Sequence, residues 1–148
     1  MMSLKDQIFA DMKTAMRAKD ASKLESIRML RAAIQRKEVD DQTEIGDQAV
    51  LAILQKQIKQ SQDAIKQFTD GDRVDLAEKE QVHVDILKGY LPEQLGDDEI
   101  AKEVADAITA TGAESMKDMG KVMGLLKGRL QGKADMGKVS TIIKAKLA

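Results

Sequence analysis

Apolar residues recur three and four positions apart along nearly the whole chain, and runs of β-branched residues are absent. That is the period of helices burying one face. A first helix is expected with Ser3 as its cap and Leu4, Ile8, Met12 and Met16 as its stripe, ending at Lys19-Asp20-Ala21. Ser22 followed by Glu25 forms a capping-box pattern, which opens a second helix carrying Leu24, Ile27, Leu30, Arg31 and Ile34. The polar stretch from Val39 to Gly46 reads as its loop. Asp47 is placed to cap a third helix whose Leu51, Leu54, Ile58, Ser61, Ile65 and Phe68 form a narrow helix-packing seam. After the break at Thr69-Asp70-Gly71-Asp72, a fourth helix runs through Leu76, His83, Leu87 and Tyr90.

Gly89, Pro92 and Gly96 then interrupt the pattern together. Proline disfavours helical geometry in the residue before it, so Leu91 is the expected boundary between domains 1–91 and 92–148. Beyond it, the acidic turn Asp97-Asp98-Glu99 starts a helix with Ile100, Val104 and Ile108 that stops near Gly112. Ser115 to Asp118 open the next helix, and Ser140 to Leu147 supply a last short one. The expected fold is all-α, with an N-terminal bundle of about four helices and a smaller C-terminal lobe of three.

Composition narrows the chemistry. The 148 residues include no Cys, one His and three aromatics, Phe9, Phe68 and Tyr90. Thiolate metal sites, disulfides and a cysteine nucleophile are excluded, and a multi-His metal site is too. Three rings are too few for a base-stacking platform. No apolar run approaches a membrane span of about 20 residues, and Met1 to Asp6 lack the apolar core of an export signal. A cytoplasmic protein with no cofactor, no metal and no membrane partner is expected. Glu80 and His83 stand in a Glu-x-x-His pattern, half of a dimetal carboxylate motif. With a single His, the preferred reading makes His83 a packed residue at the edge of the seam, and no catalytic residue is assigned.

The net charge of −1 argues against a polyanion partner until it is divided. From Pro92 to Asp118 eight acids face two lysines, a net of −6, whereas from Met119 to Ala148 seven cations face Asp135 alone, a net of +6. The basic part suits phosphates, with salt-dependent binding. It is equally suited to an acidic helix folding against basic ones. Gly120, Gly124, Gly128 and Gly132 recur every fourth residue, opposite Met119, Val122, Met123, Leu126 and Leu130. Each glycine costs about 1 kcal/mol relative to Ala inside a helix. A strip without side chains, with Lys121 and Lys127 beside it and Arg129 further round, lets another backbone approach. Two plainer readings stand beside this: another helix packs there, or the helix ends before Gly132 and Gly132 to Asp135 form a turn. Arg28, Arg31, Arg36 and Lys37 on the second helix are a weaker candidate cluster.

Leu24 to Ile34, Tyr90-Leu91-Pro92-Glu93-Gln94-Leu95, Met119-Gly120-Lys121-Val122-Met123-Gly124 and Gly132-Lys133-Ala134-Asp135 together resemble the YqeY family across essentially the whole chain. The part from about Pro92 is similar to the tail domain of the B subunit of glutamine-dependent aspartyl/glutamyl-tRNA amidotransferase, the GatB/YqeY tail. The resemblance implies an all-helical, two-lobed protein whose tail contacts tRNA. Its motif falls on Gly120, Val122, Met123, Gly124, Gly132, Ala134 and Asp135. The nucleic-acid-binding residues expected are Gly120, Lys121, Gly124, Lys127, Gly128, Arg129, Lys133 and Lys138. The chain lacks the catalytic portions of the amidotransferase, so carbon–nitrogen ligase activity is implied by the family name alone. The expected function is a non-catalytic tRNA-binding module or an accessory to a tRNA-modifying or aminoacylating enzyme. The alternatives are a protein–protein adaptor and an amidotransferase-type enzyme.

Overall fold

The computed structural model describes residues 2–148, which form α-helices and connecting turns with no β-strand among them. The chain divides into two compact units, at Leu91 and Pro92.

The first unit contains α1 (Leu4–Ala18), α2 (Ala21–Asp41), α3 (Asp47–Asp70) and α4 (Val74–Lys88). Ile8, Ile27, Leu30, Val50, Leu54, Val84 and Leu87 are completely buried in its core. Each such side chain contributes roughly 2 kcal/mol by leaving water. Ser3 caps α1 as expected, its hydroxyl accepting from the Asp6 amide at 3.1 Å. The stripe on α1 differs in one member: Ala15 is buried and Met16 is 49% exposed. Strict four-residue steps drift by about 40° each, which carries Met16 about 120° from Leu4 while Ala15 returns to within about 20° of it.

The start of α2 is also revised. Asp20, not Ser22, is the cap, its carboxylate accepting from the Lys23 amide at 3.2 Å. The helix continues through Asp41 into the stretch read as loop. Glu38 explains the extension, since one carboxylate oxygen receives Lys5 Nζ at 2.7 Å and the Ile45 amide at 3.0 Å. At α3 the cap is Gly46, and Asp47 instead accepts the Leu4 amide at 3.0 Å, tying the first turn of α1 to that of α3. The α3 seam is used inside the unit: Leu54, Ile58 and Ser61 are buried, with Leu51, Ile65 and Phe68 half-buried. Tyr90, just past α4, donates its hydroxyl to Asp11 at 2.7 Å. Burial and that carboxylate push the Tyr90 pKa far above the usual phenol value.

The second unit contains α5 (Asp97–Thr111), α6 (Met119–Leu130) and α7 (Met136–Leu147), with a 3₁₀ turn, Met116–Asp118, leading into α6. Its core joins Ile100, Val104 and Ala107 of α5 to Val122, Leu126 and Leu130 of α6 and Val139, Ile143 and Leu147 of α7. Ser115 and Asp118 form a reciprocal capping box at the 3₁₀ turn. The last helix begins four residues before Ser140, because Asp135 caps it by accepting from the Gly137 amide at 2.9 Å.

Candidate nucleic-acid interface

The second unit's charge split is not spent internally. α5 meets α6 and α7 through apolar side chains, and one ion pair joins its acids to the basic segment, Asp97 with Lys138. Lys138 is therefore already engaged, unlike the other expected cations. Lys121, Lys127, Arg129 and Lys133 are exposed and make no salt bridge among the described residues. Lys121 lies near Asp118, whose carboxyl is held below the usual range chiefly by the Glu114 amide, with the Ser115 amide and Lys121 adding to the effect.

The glycine series separates into two kinds of position. Gly120, Gly124 and Gly128 lie on the exposed face of α6, and a methyl group added at any of them would meet nothing within 4 Å. On the helical wheel they fall within about 60° of the direction opposite Leu126, the centre of the buried face. No helix of this unit packs on that strip. Gly132 is different: α6 has ended at Leu130 and Gly132 is a buried residue with φ 85°, a left-handed conformation. The reading that the helix ends before Gly132 is the one observed, so the bare strip comprises three glycines.

The Gly132 turn fastens the unit. Gln94 Nε2 donates to the Gly132 carbonyl at 2.6 Å, and the Leu95 amide donates to the Lys133 carbonyl at 2.9 Å. Gln94 and Leu95, from the motif Tyr90 to Leu95, thus meet the motif Gly132 to Asp135 in space. Sequence inspection assigned no role to Gln94; a side chain able to bond a distant backbone carbonyl carries no periodic signal. The clasp leaves Lys133 exposed at the end of α6.

Among the cations of the first unit, Arg31 stacks over the Phe9 ring at 4.6 Å and donates to Met12 Sδ at 3.2 Å, while Lys13 lies over the same ring at 4.5 Å. Lys37 pairs with Asp41 at 3.1 Å, and Arg28 and Arg36 are exposed. Two of the four cations in this cluster are thus committed to contacts within the unit. His83 is 8% exposed, and no group of three or more His, Asp or Glu side chains among the described residues is placed to hold a metal.

The family model for Yqey-like proteins matches residues 5–147. The chain belongs to the YqeY-like family. Its similarity extends to curated relatives named "Altered inheritance of mitochondria protein 41, mitochondrial". The one from Pyrenophora tritici-repentis is 36% identical over 127 residues, covering 84% of this chain and 70% of the relative. The Saccharomyces cerevisiae protein is 32% identical over 120 residues, covering 77% of this chain and 65% of the relative. The Lachancea thermotolerans protein is 38% identical over 82 residues, covering 55% of this chain and 44% of the relative. The expectation of a cytoplasmic protein is corrected by these names, which place this YqeY-like chain's relatives in mitochondria. Composition misled there, because neither the residues from Met1 to Asp6 nor the lack of cysteine says which compartment a helical protein occupies.

Proposed function

We propose that this YqeY-like protein is a non-catalytic tRNA-binding module, acting alone or as an accessory to a tRNA-modifying or aminoacylating enzyme. The observation that carries the reading is the open strip of Gly120, Gly124 and Gly128 on α6, with exposed and unpaired Lys121 and Lys127 beside it and Arg129 further round. A strip of bare backbone admits the sugar–phosphate chain at close range, and the cations neutralise its phosphates. With three aromatic residues in the chain, recognition rests on shape and charge, and base reading is minor. Lys133 lies at the clasped end of the same helix and adds a fourth phosphate contact; Lys138 contributes less because Asp97 holds it.

Four phosphate contacts give a slope of log affinity against log salt of about −3. The test is tRNA binding by the full chain from low to moderate salt, compared with Lys121→Glu/Lys127→Glu/Arg129→Glu. The slope should fall to about −1 or less in the triple variant. Salt-independent binding, or an unchanged slope in that variant, refutes the proposal. The adaptor reading is the second one: of the α3 seam, Leu54, Ile58 and Ser61 are buried in the unit and Leu51, Ile65 and Phe68 half-buried.

A further inference from the structure

A cleft of about 100 Å³ opens between α2 and α4, lined by Ser22, Ser26 and Met29 from one helix and Lys79, Glu80, Val82 and His83 from the other, with Glu25 at its rim. One water needs roughly 10–15 Å³ of such space, so the cleft has room for a ligand of several heavy atoms. Its polar lining is unusually short of partners. His83 is 8% exposed, with Nδ1 sealed from solvent and unbonded. Among the described residues, the hydroxyl of Ser26, which is 5% exposed, makes no hydrogen bond and half-buried Glu80 makes no ion pair. Buried polar groups are normally bonded, and here His83 Nδ1 is sealed without a partner, while the Ser26 hydroxyl and the Glu80 carboxylate, which are not sealed, are free to meet a ligand in the cleft.

Glu80 can only accept, and the Ser26 hydroxyl can accept as well as donate. Burial holds the His83 imidazole below its ordinary pKa against the pull of Glu80 and Glu25, so the ring is uncharged near neutral pH. Two carboxylates face one cation, Lys79, which lies 3.8 Å from Glu25 at the mouth and leaves Glu80 unmatched. Met29 and Val82, both largely exposed, supply apolar walls. We infer that this cleft binds a primary ammonium group carried on a short aliphatic stem, the ammonium donating to Glu80 and Ser26 beside the His83 ring while the stem lies against Met29 and Val82. The site belongs to the first unit and stands independently of the tRNA reading.

His83 is the one histidine of the chain, so its ring resonances report on the cleft without assignment work. The full chain is titrated near pH 7.5 with n-butylammonium chloride, and in parallel with n-butanol and sodium butyrate at matched ionic strength. The expected result is a saturable shift of the His83 ring signals with the ammonium alone, weakened about tenfold in Glu80→Gln through loss of a charge-assisted hydrogen bond. Lys79→Gln should tighten binding by freeing Glu25. Nα-acetyl-lysine amide, run as a further arm, separates the sources: saturation by it as well as by butylammonium points to a lysine side chain of a partner, and saturation by butylammonium alone to a free amine. No saturable shift with either amine, an equal shift with butanol, or undiminished affinity in a folded Glu80→Gln overturns the inference.

Discussion

The open face of α6 sets two quantities against each other, and glycine-to-alanine substitutions separate them. At Gly120, Gly124 and Gly128 the added methyl group touches nothing, so the stability change reduces to helix propensity. Gly124 is in the interior of α6, where the gain is about 1 kcal/mol, whereas Gly120 and Gly128 sit near its ends and gain roughly half as much each. The triple alanine variant should therefore be more stable by about 2 kcal/mol. For a unit of this size that raises the melting temperature by roughly 8–16 °C. Gly132→Ala, four residues on, should have the opposite sign, because φ 85° forces an L side chain into left-handed geometry at a cost of about 1–2 kcal/mol. Scanning calorimetry on the full chain resolves the change if the two units melt separately, and chemical denaturation followed by circular dichroism checks it. The same triple variant should bind tRNA more weakly despite being more stable, since three methyl groups stand where a sugar–phosphate backbone would lie. If Gly124→Ala destabilises the protein, the face is covered and the reasoning fails. If the variant is stabilised and binds tRNA undiminished, the bare strip has no part in recognition.

Other consequences are quicker to check. Tyr90→Phe removes a part-buried hydrogen bond to Asp11 and should cost about 1–2 kcal/mol in urea unfolding; no change would show the bond to be worth nothing. Glu38 is held below the usual carboxylate pKa, first by its hydrogen bond with Lys5 and then by the Ile45 amide. A depressed folded pKa contributes stability that is present above the unfolded value of about 4.3 and is lost as pH falls through the folded value. Denaturation midpoints should therefore drop more steeply below about pH 4.3 in the wild type than in Glu38→Gln. Lys138→Gln breaks an exposed pair with Asp97 and should change stability by less than about 1 kcal/mol, while weakening tRNA binding less than Lys121→Gln does.

The helices were legible because burial imposes a period, and most expected core positions, such as Ile8, Leu30, Leu54, Val104 and Leu126, are buried. What periodicity could not locate were the ends, where one side chain decides between neighbouring starts. Asp20 displaced Ser22 as a cap, Gly46 left Asp47 free to bond Leu4, and Asp135 began α7 early. At the candidate interface, spacing identified the opposite faces of α6, because both follow from one angle per residue. It failed at Gly132, where the fourth step of the same repeat falls beyond the helix. The Asp97–Lys138 pair and the Gln94–Gly132 bond were out of reach for a related reason: they join residues 41 and 38 positions apart, and no local pattern encodes such distances.

The Gln94–Gly132 clasp also bears on how the chain comes off the ribosome. The long-range bond that closes the first unit, Tyr90 to Asp11, can form once residue 90 has been made. The second unit cannot fasten its entry segment until Lys133 exists to receive the Leu95 amide. At about 5–20 residues per second, roughly 2–9 s pass between residue 90 and residue 133, and over that interval α5 and the glycine-bearing α6 are being synthesised unclasped. During synthesis the basic helix is thus a nascent segment that follows an already closed bundle in the chain, open to whatever meets it first.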